Sequence, residues 1–189
     1  MNVQKEFLTV NRFSRPGKKL AKVKGLVLHW VANPGSSAIQ NRNYFESLKL
    51  QDLNKPNALY ASAHFIVGIK GEVAQCIPCE EMAYHAGAKS YTNEAVTVFG
   101  NNPNTCTIGI ELCHPKADGK FSEATLASAG ELCARLCARF SLDPQRDIWT
   151  HYAVTRKSCP KWFVENPEEL AAFIWDVSAC VKRNYKQGA

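Results

Sequence analysis

Apolar positions fall along this chain in short runs that alternate with helical stripes. Val23 to Val31, rich in Val and Leu, predicts a strand, and Asn33-Pro34-Gly35 closes it. Ser36 or Ser37 then caps a helix that carries Ile39, Phe45 and Leu48. After a loop at Asn54 to Asn57, Ala63 to Ile69 predicts a second strand. Lys70-Gly71 turns it into a hairpin with Glu72 to Ile77. Residues 83–106 hold many Gly, Asn and Thr and predict a long surface loop, and Thr107 to Leu112 is another strand. Ser122 to Phe140 is the clearest helix: Leu126, Ala129, Cys133, Leu136, Cys137 and Phe140 recur at helical spacing. Asp143-Pro144 breaks it, and Asp147 to His151 is a short strand. The last helix opens at Asn166 as cap, with Pro167 first and Glu169 completing a capping box. Leu170, Phe173, Ile174, Val177 and Val181 are its buried stripe.

Strands alternating with helices predict an α/β domain, one sheet with helices packed on it. The 189 residues suit one domain with a full core. Residues 1–22 read as an N-terminal arm containing the turn Arg15-Pro16-Gly17, and 23–189 as the domain. No apolar run approaches the roughly 20 residues of a spanning helix, which argues against membrane insertion. Met1 to Glu6 is polar, so no secretory signal is read and synthesis in the cytoplasm is expected.

Composition narrows this further. With 46% hydrophobic and 21% charged residues the chain is neither disordered nor fibrous. Its net charge of +6 favours acidic surroundings: nucleic acid, anionic lipid or an anionic wall polymer. Lys18, Lys19, Lys22 and Lys24 form the densest basic group, yet no basic-aromatic stripe or recognition helix accompanies it, which argues against nucleic acid. Eight cysteines in a leaderless chain of this size do not predict a disulfide framework. Cys133 and Cys137 read as core. Cys76 and Cys79 form a C-x-x-C without the second pair that a zinc ribbon needs.

The chemistry is concentrated in Thr150 to Pro160. His151 leaves a strand and Cys159 follows eight residues later across a loop, long enough to bring imidazole and thiolate onto one ion. Two ligands do not make a site. His29, ending an apolar strand before a Pro-Gly turn, is the best third candidate. Two His and one Cys leave a fourth position open, as a catalytic zinc requires and a closed structural site does not. Lys157, two residues before Cys159, would lie beside such a site and suits stabilisation of an oxyanion. Glu111 is the only acid in an apolar strand, a setting that raises a carboxyl pKa and suits a general base.

Together these segments resemble the type 2 N-acetylmuramoyl-L-alanine amidase family, which includes the peptidoglycan recognition proteins. The likeness runs from Arg15 to Phe163. It is carried by Arg15-Pro16-Gly17, Gly25 to Trp30, Asn33-Pro34-Gly35, Ser62-Ala63-His64-Phe65, Tyr84-His85-Ala86-Gly87, Ile108 to Glu111 and the His151 to Pro160 loop. The resemblance implies a mixed central sheet flanked by helices and a Zn2+ held by His29, His151 and Cys159. It implies Glu111 as catalytic base and Lys157 as transition-state cation. His85, Trp30 and Asn33 fall on the substrate side, and His64 reads as structural. The implied reaction is hydrolysis of the amide between the lactyl group and L-alanine of the peptidoglycan stem, by a monomer released onto the wall, of endolysin or prophage autolysin type. Ala63 stands where some members carry a catalytic tyrosine, which shifts proton transfer onto Glu111. Ala153 stands where relatives often have an aspartate, which bears on the rigidity of the loop. A non-catalytic recognition module of the same fold is the rival reading, and such modules typically lose the cysteine ligand that Cys159 supplies here.

Overall fold

The computed structural model describes residues 2–52 and 56–185, so the expected loop at Asn54 to Asn57 falls partly outside the described residues. Six strands form one mixed sheet. They are β1 (Val3–Lys5), β2 (Gly25–Trp30), β3 (Phe65–Val67), β4 (Val73–Gln75), β5 (Thr107–Leu112) and β6 (Ile148–Thr150), in the spatial order β1-β4-β3-β5-β2-β6. Only the β3–β4 hairpin is antiparallel; the other four pairings are parallel. Among the described residues seven α-helices follow: α1 (Ala38–Ser47), α2 (Asn93–Phe99), α3 (Glu123–Phe140), α4 (Pro144–Asp147), α5 (His151–Thr155), α6 (Lys161–Glu165) and α7 (Pro167–Asn184). None of these helices is long and apolar enough to cross a membrane.

Strand alternation divides the sheet into two unlike faces. Leu26 and Leu28 of β2, with Ile108, Ile110 and Leu112 of β5, pack on Leu132, Cys133, Leu136 and Cys137 of α3 and on Phe173 and Val177 of α7. This is the main core. On the other face the apolar material is split. Ile66 and Ala74 pack under α1 with Phe45, Leu8 and Phe13, while Val27 packs with Ala95, Phe99 and Val154. Between the two groups, over β5, lie His29, His64 and His85, all buried.

The structure revises several local expectations. Residues 2–22 are built into the domain: β1 pairs with β4, and Leu8, Phe13 and Leu20 are core residues. The stretch 83–106 holds α2, capped by Thr92 through a hydrogen bond from the Ala95 N–H. Its buried positions Ala95 and Phe99 are only two, four residues apart, too short a stripe to stand out from the Gly, Asn and Thr around it. Asn166 does not form the expected capping box; its amide instead donates to the Trp162 carbonyl at 2.9 Å, closing α6. Ser37 is the cap of α1, in a capping box with Gln40. Ile39 of that helix is exposed, while Phe45 and Leu48 are buried.

Candidate metal centre

The site is assembled where parallel strands end. His29 is the penultimate residue of β2, and His151 is the first residue after its parallel neighbour β6. Open α/β sheets present their reactive groups at this carboxyl edge. The Thr150 hydroxyl accepts from the Ala153 N–H and caps α5, which sets the direction in which His151 leaves the strand. The chain then returns. The Tyr152 N–H donates to the Cys159 carbonyl at 2.8 Å, closing the loop that carries Lys157. Thr92 grips the same turn from outside, its N–H on the Val154 carbonyl at 3.0 Å and its hydroxyl on the Ala153 carbonyl at 2.8 Å. The loop is thus tied by main-chain bonds, although Ala153 offers no side-chain acceptor.

Ligating atoms of His29, His151 and Cys159 lie within 4.8 Å of one another, and all three residues are buried. His29 Nδ1 faces the Cys159 sulfur at 3.8 Å, and the two imidazole rings meet edge-on with centroids 4.6 Å apart. His151 Nε2 is enclosed without a hydrogen-bond partner. Buried polar atoms are nearly always satisfied, so this orphan calls for a ligand. Two imidazoles and a thiol fit a zinc ion with a fourth position open.

The electrostatics of the two imidazoles agree with that use. Burial holds His29 well below the ordinary imidazole value, with the nearby His151, His85 and Lys157 adding to the effect. Burial and Lys157 lower His151 to about 4. Both rings are therefore neutral, the ligating form. Burial pushes the Cys159 thiol up to about 12 and Glu111 adds to it, while a backbone hydrogen bond from Trp30 and the charge of Lys157 pull the other way. Glu111 faces the same space from β5, where it is the register partner of His29. Burial raises its carboxyl to about 8, against the pull of Lys157. The residue as a whole is half-buried, but Oε2 is enclosed and has no partner. Lys157 itself is exposed, yet its charge is felt at all four of these groups.

The residue order of this site agrees with a wider match: a family model described as N-acetylmuramoyl-L-alanine amidase covers residues 19–162. The chain belongs to that amidase family. A "Probable N-acetylmuramoyl-L-alanine amidase" of Bacillus licheniformis is 42% identical over 183 residues, 97% of this chain and 49% of the relative. The amidase CwlL of the same organism is 40% identical over 173 residues, 92% of this chain and 46% of that protein. The chain thus spans about half the length of these curated relatives. Among solved structures, a mutant endolysin from Bacillus subtilis superposes with a TM-score of 0.67 at 28% identity, covering 92% of this chain and 99% of that one.

Against this amidase-family frame the individual residues sort as follows. His29, His151, Cys159, Glu111 and Lys157 converge. Trp30 does not join them as a side chain: alternation along β2 turns it to the opposite face. There it stacks on His114 at 4.7 Å, and Gly119 leaves room for it. Asn33 lies exposed in the turn after β2, its carbonyl accepting from Ser36. His85 is only 7% exposed and has both ring nitrogens engaged, so it offers no free polar edge to a substrate. His64 likewise has both nitrogens occupied, by the Gly109 N–H and the Glu81 carbonyl. Ala63 is buried among the α1-side apolar residues. Cys76 and Cys79 sit in different apolar clusters, and burial raises them to about 12 and about 11.

Asn104, Thr107 and Gly109 were not singled out by sequence, yet they build the wall behind His29. Asn104 and Thr107 carry no local signal for this, because their partners lie about 20 positions away. Gly109 does: a glycine inside an apolar strand marks a close approach.

Proposed function

We propose that this chain is a zinc-dependent N-acetylmuramoyl-L-alanine amidase, hydrolysing the amide between the lactyl group of muramic acid and L-alanine of the peptidoglycan stem. The observation that carries the reading is the convergence of His29, His151 and Cys159 at one carboxyl edge, with Glu111 and Lys157 near enough for their charges to be felt there. In this reading His29, His151 and Cys159 hold the ion, which when bound polarises the scissile carbonyl and acidifies water.

The protein's own groups do the rest. Glu111 Oε2 accepts a proton from the attacking water and returns it to the departing amine of L-alanine. The Lys157 ammonium faces the oxygen on which negative charge builds up. The buried β5 wall keeps bulk water from competing for the Glu111 carboxyl. The 23–189 stretch is the catalytic domain, with β1 completing its sheet. It acts as a monomer on the wall after release from the cytoplasm, and its charge of +6 suits an anionic wall polymer. The endolysin and amidase names of the relatives support this role.

The test is mass spectrometry of peptidoglycan digested by the purified, zinc-loaded chain. New L-alanine amino termini with intact sugar bonds are expected, and Glu111→Gln should abolish them while retaining zinc. A zinc-loaded chain that binds wall but releases no termini would instead make this a recognition module.

A further inference from the structure

We propose that His85 is a positioning residue that decides which nitrogen of His29 is offered to the metal. The hydrogen bonds behind His29 admit one proton arrangement. The Thr107 hydroxyl has a single proton, and the Pro103 carbonyl 2.7 Å away can only accept it. Thr107 Oγ1 is then left as an acceptor toward His85 Nε2 at 3.1 Å, and the Thr107 carbonyl lies 3.4 Å from the same nitrogen. Both partners require a proton on His85 Nε2. A neutral imidazole carries one proton, so His85 Nδ1 is a bare acceptor. It faces His29 Nε2 at 3.0 Å, which must donate to it. His29 Nδ1 is left with its lone pair free, and that is the nitrogen facing the Cys159 sulfur.

The seat of His85 is shaped for this. Asn104 is itself buried, and its Oδ1 accepts from the His85 N–H at 3.1 Å and the Ala86 N–H at 2.8 Å. Beneath the ring, Gly109 leaves the face of β5 bare; a Cβ there would lie 2.4 Å from His85 Cγ. A side chain at 109 would therefore displace the ring from His29. Glycine weakens a strand interior, and here it makes room for a hydrogen-bond acceptor.

The proposal rests on the zinc reading for the identity of the ion, but the proton arrangement is a property of the metal-free chain. Nitrogen-15 spectra of the histidine rings in the metal-free wild type should therefore show His29 and His85 both protonated at Nε2. A proton on His29 Nδ1 overturns the proposal, whatever the activity. Zn2+ titration is the second arm. His85→Leu should weaken zinc binding about 10- to 100-fold, the usual effect of removing the partner behind a ligating histidine. His85→Asn, whose Oδ1 stands in for Nδ1, should recover most of the loss. Unchanged affinity in a folded His85→Leu chain overturns the proposal. Should that variant not fold, Thr107→Val replaces it: the expected result is mixed His29 tautomers, and an unaltered spectrum is the contrary one. A wild type that binds no Zn2+ but shows the expected tautomers defeats the zinc reading and leaves this one standing.

Discussion

Lys157 lies exposed at the edge of the proposed site. It is two residues from a buried cysteine, and its charge is felt at His29, His151, Glu111 and Cys159 alike. In the proposed mechanism its value lies in the transition state, so Lys157→Met should lower turnover about 10²- to 10³-fold while zinc content stays at the wild-type level. Metal analysis beside single-turnover hydrolysis separates the two effects, and equal losses in both would assign Lys157 to the ligand loop instead. The residues with intrinsic chemistry were legible in the sequence because their types are rare in apolar strands: His29 and Glu111 interrupt runs of Val, Leu and Ile. The residues that hold them were not. Thr107 and Asn104 are ordinary polar side chains until the fold brings His85 to them, and the substrate-side expectation for Trp30 overlooked the alternation that turns consecutive strand residues apart.

At the level of elements, those that sequence missed are short, and two of them, β1 and α2, show how tertiary contacts hold them. Isolated helices of α2's length are unstable in water, so its stability comes from Thr92, Ala95 and Phe99 meeting partners elsewhere. Thr92→Val removes both the cap of α2 and the bond to the Ala153 carbonyl. It should cost about 1–2 kcal/mol in urea unfolding. The N-terminal segment is pinned by Glu46 of α1. Burial alone would raise that carboxyl, but hydrogen bonds from Lys49 and from Thr9 outweigh it and hold it at about 2 rather than 4.5. A depressed carboxyl stabilises the fold fully above its unfolded value and loses that contribution as pH falls through its folded value. The stability gap between wild type and Glu46→Gln should thus be constant above pH 4.5 and vanish as pH approaches 2, read from unfolding curves across that range. A gap independent of pH would remove the charge of Glu46 from the account.

For the whole molecule, the unequal faces of the sheet set where it is robust. The main core is continuous from β2 and β5 to α3 and α7, and its helical and strand periodicities were readable along the chain. The opposite face divides its apolar side chains between two smaller clusters, so each of those in the smallest one counts. Phe99 packs against Trp149 at 5.0 Å and closes over Gly25, and Phe99→Ala should cost about 3–5 kcal/mol. Three ligands drawn from β2, α5 and the loop after it also tie this thinner face together once an ion is bound. Zinc at 100 times its Kd should therefore add about 2.7 kcal/mol, seen as a rise in Tm that a chelator reverses and Cys159→Ala abolishes. A melting temperature indifferent to zinc would count against the three-ligand site.

One more consequence follows from the pairing of His29 with Glu111 across β2 and β5. The proposed ligand and the proposed base share one rung of a parallel ladder, so their separation is governed by the roughly 4.8 Å repeat between hydrogen-bonded strands. That repeat is common to all sheets and does not depend on loop sequence or loop length. In the proposed mechanism the reacting part of the site is therefore built to a fixed gauge, while the turns around it are free to change with the substrate. Chimeras that exchange the surrounding turns should alter which stem is accepted while leaving the distance from ligand to base as it is.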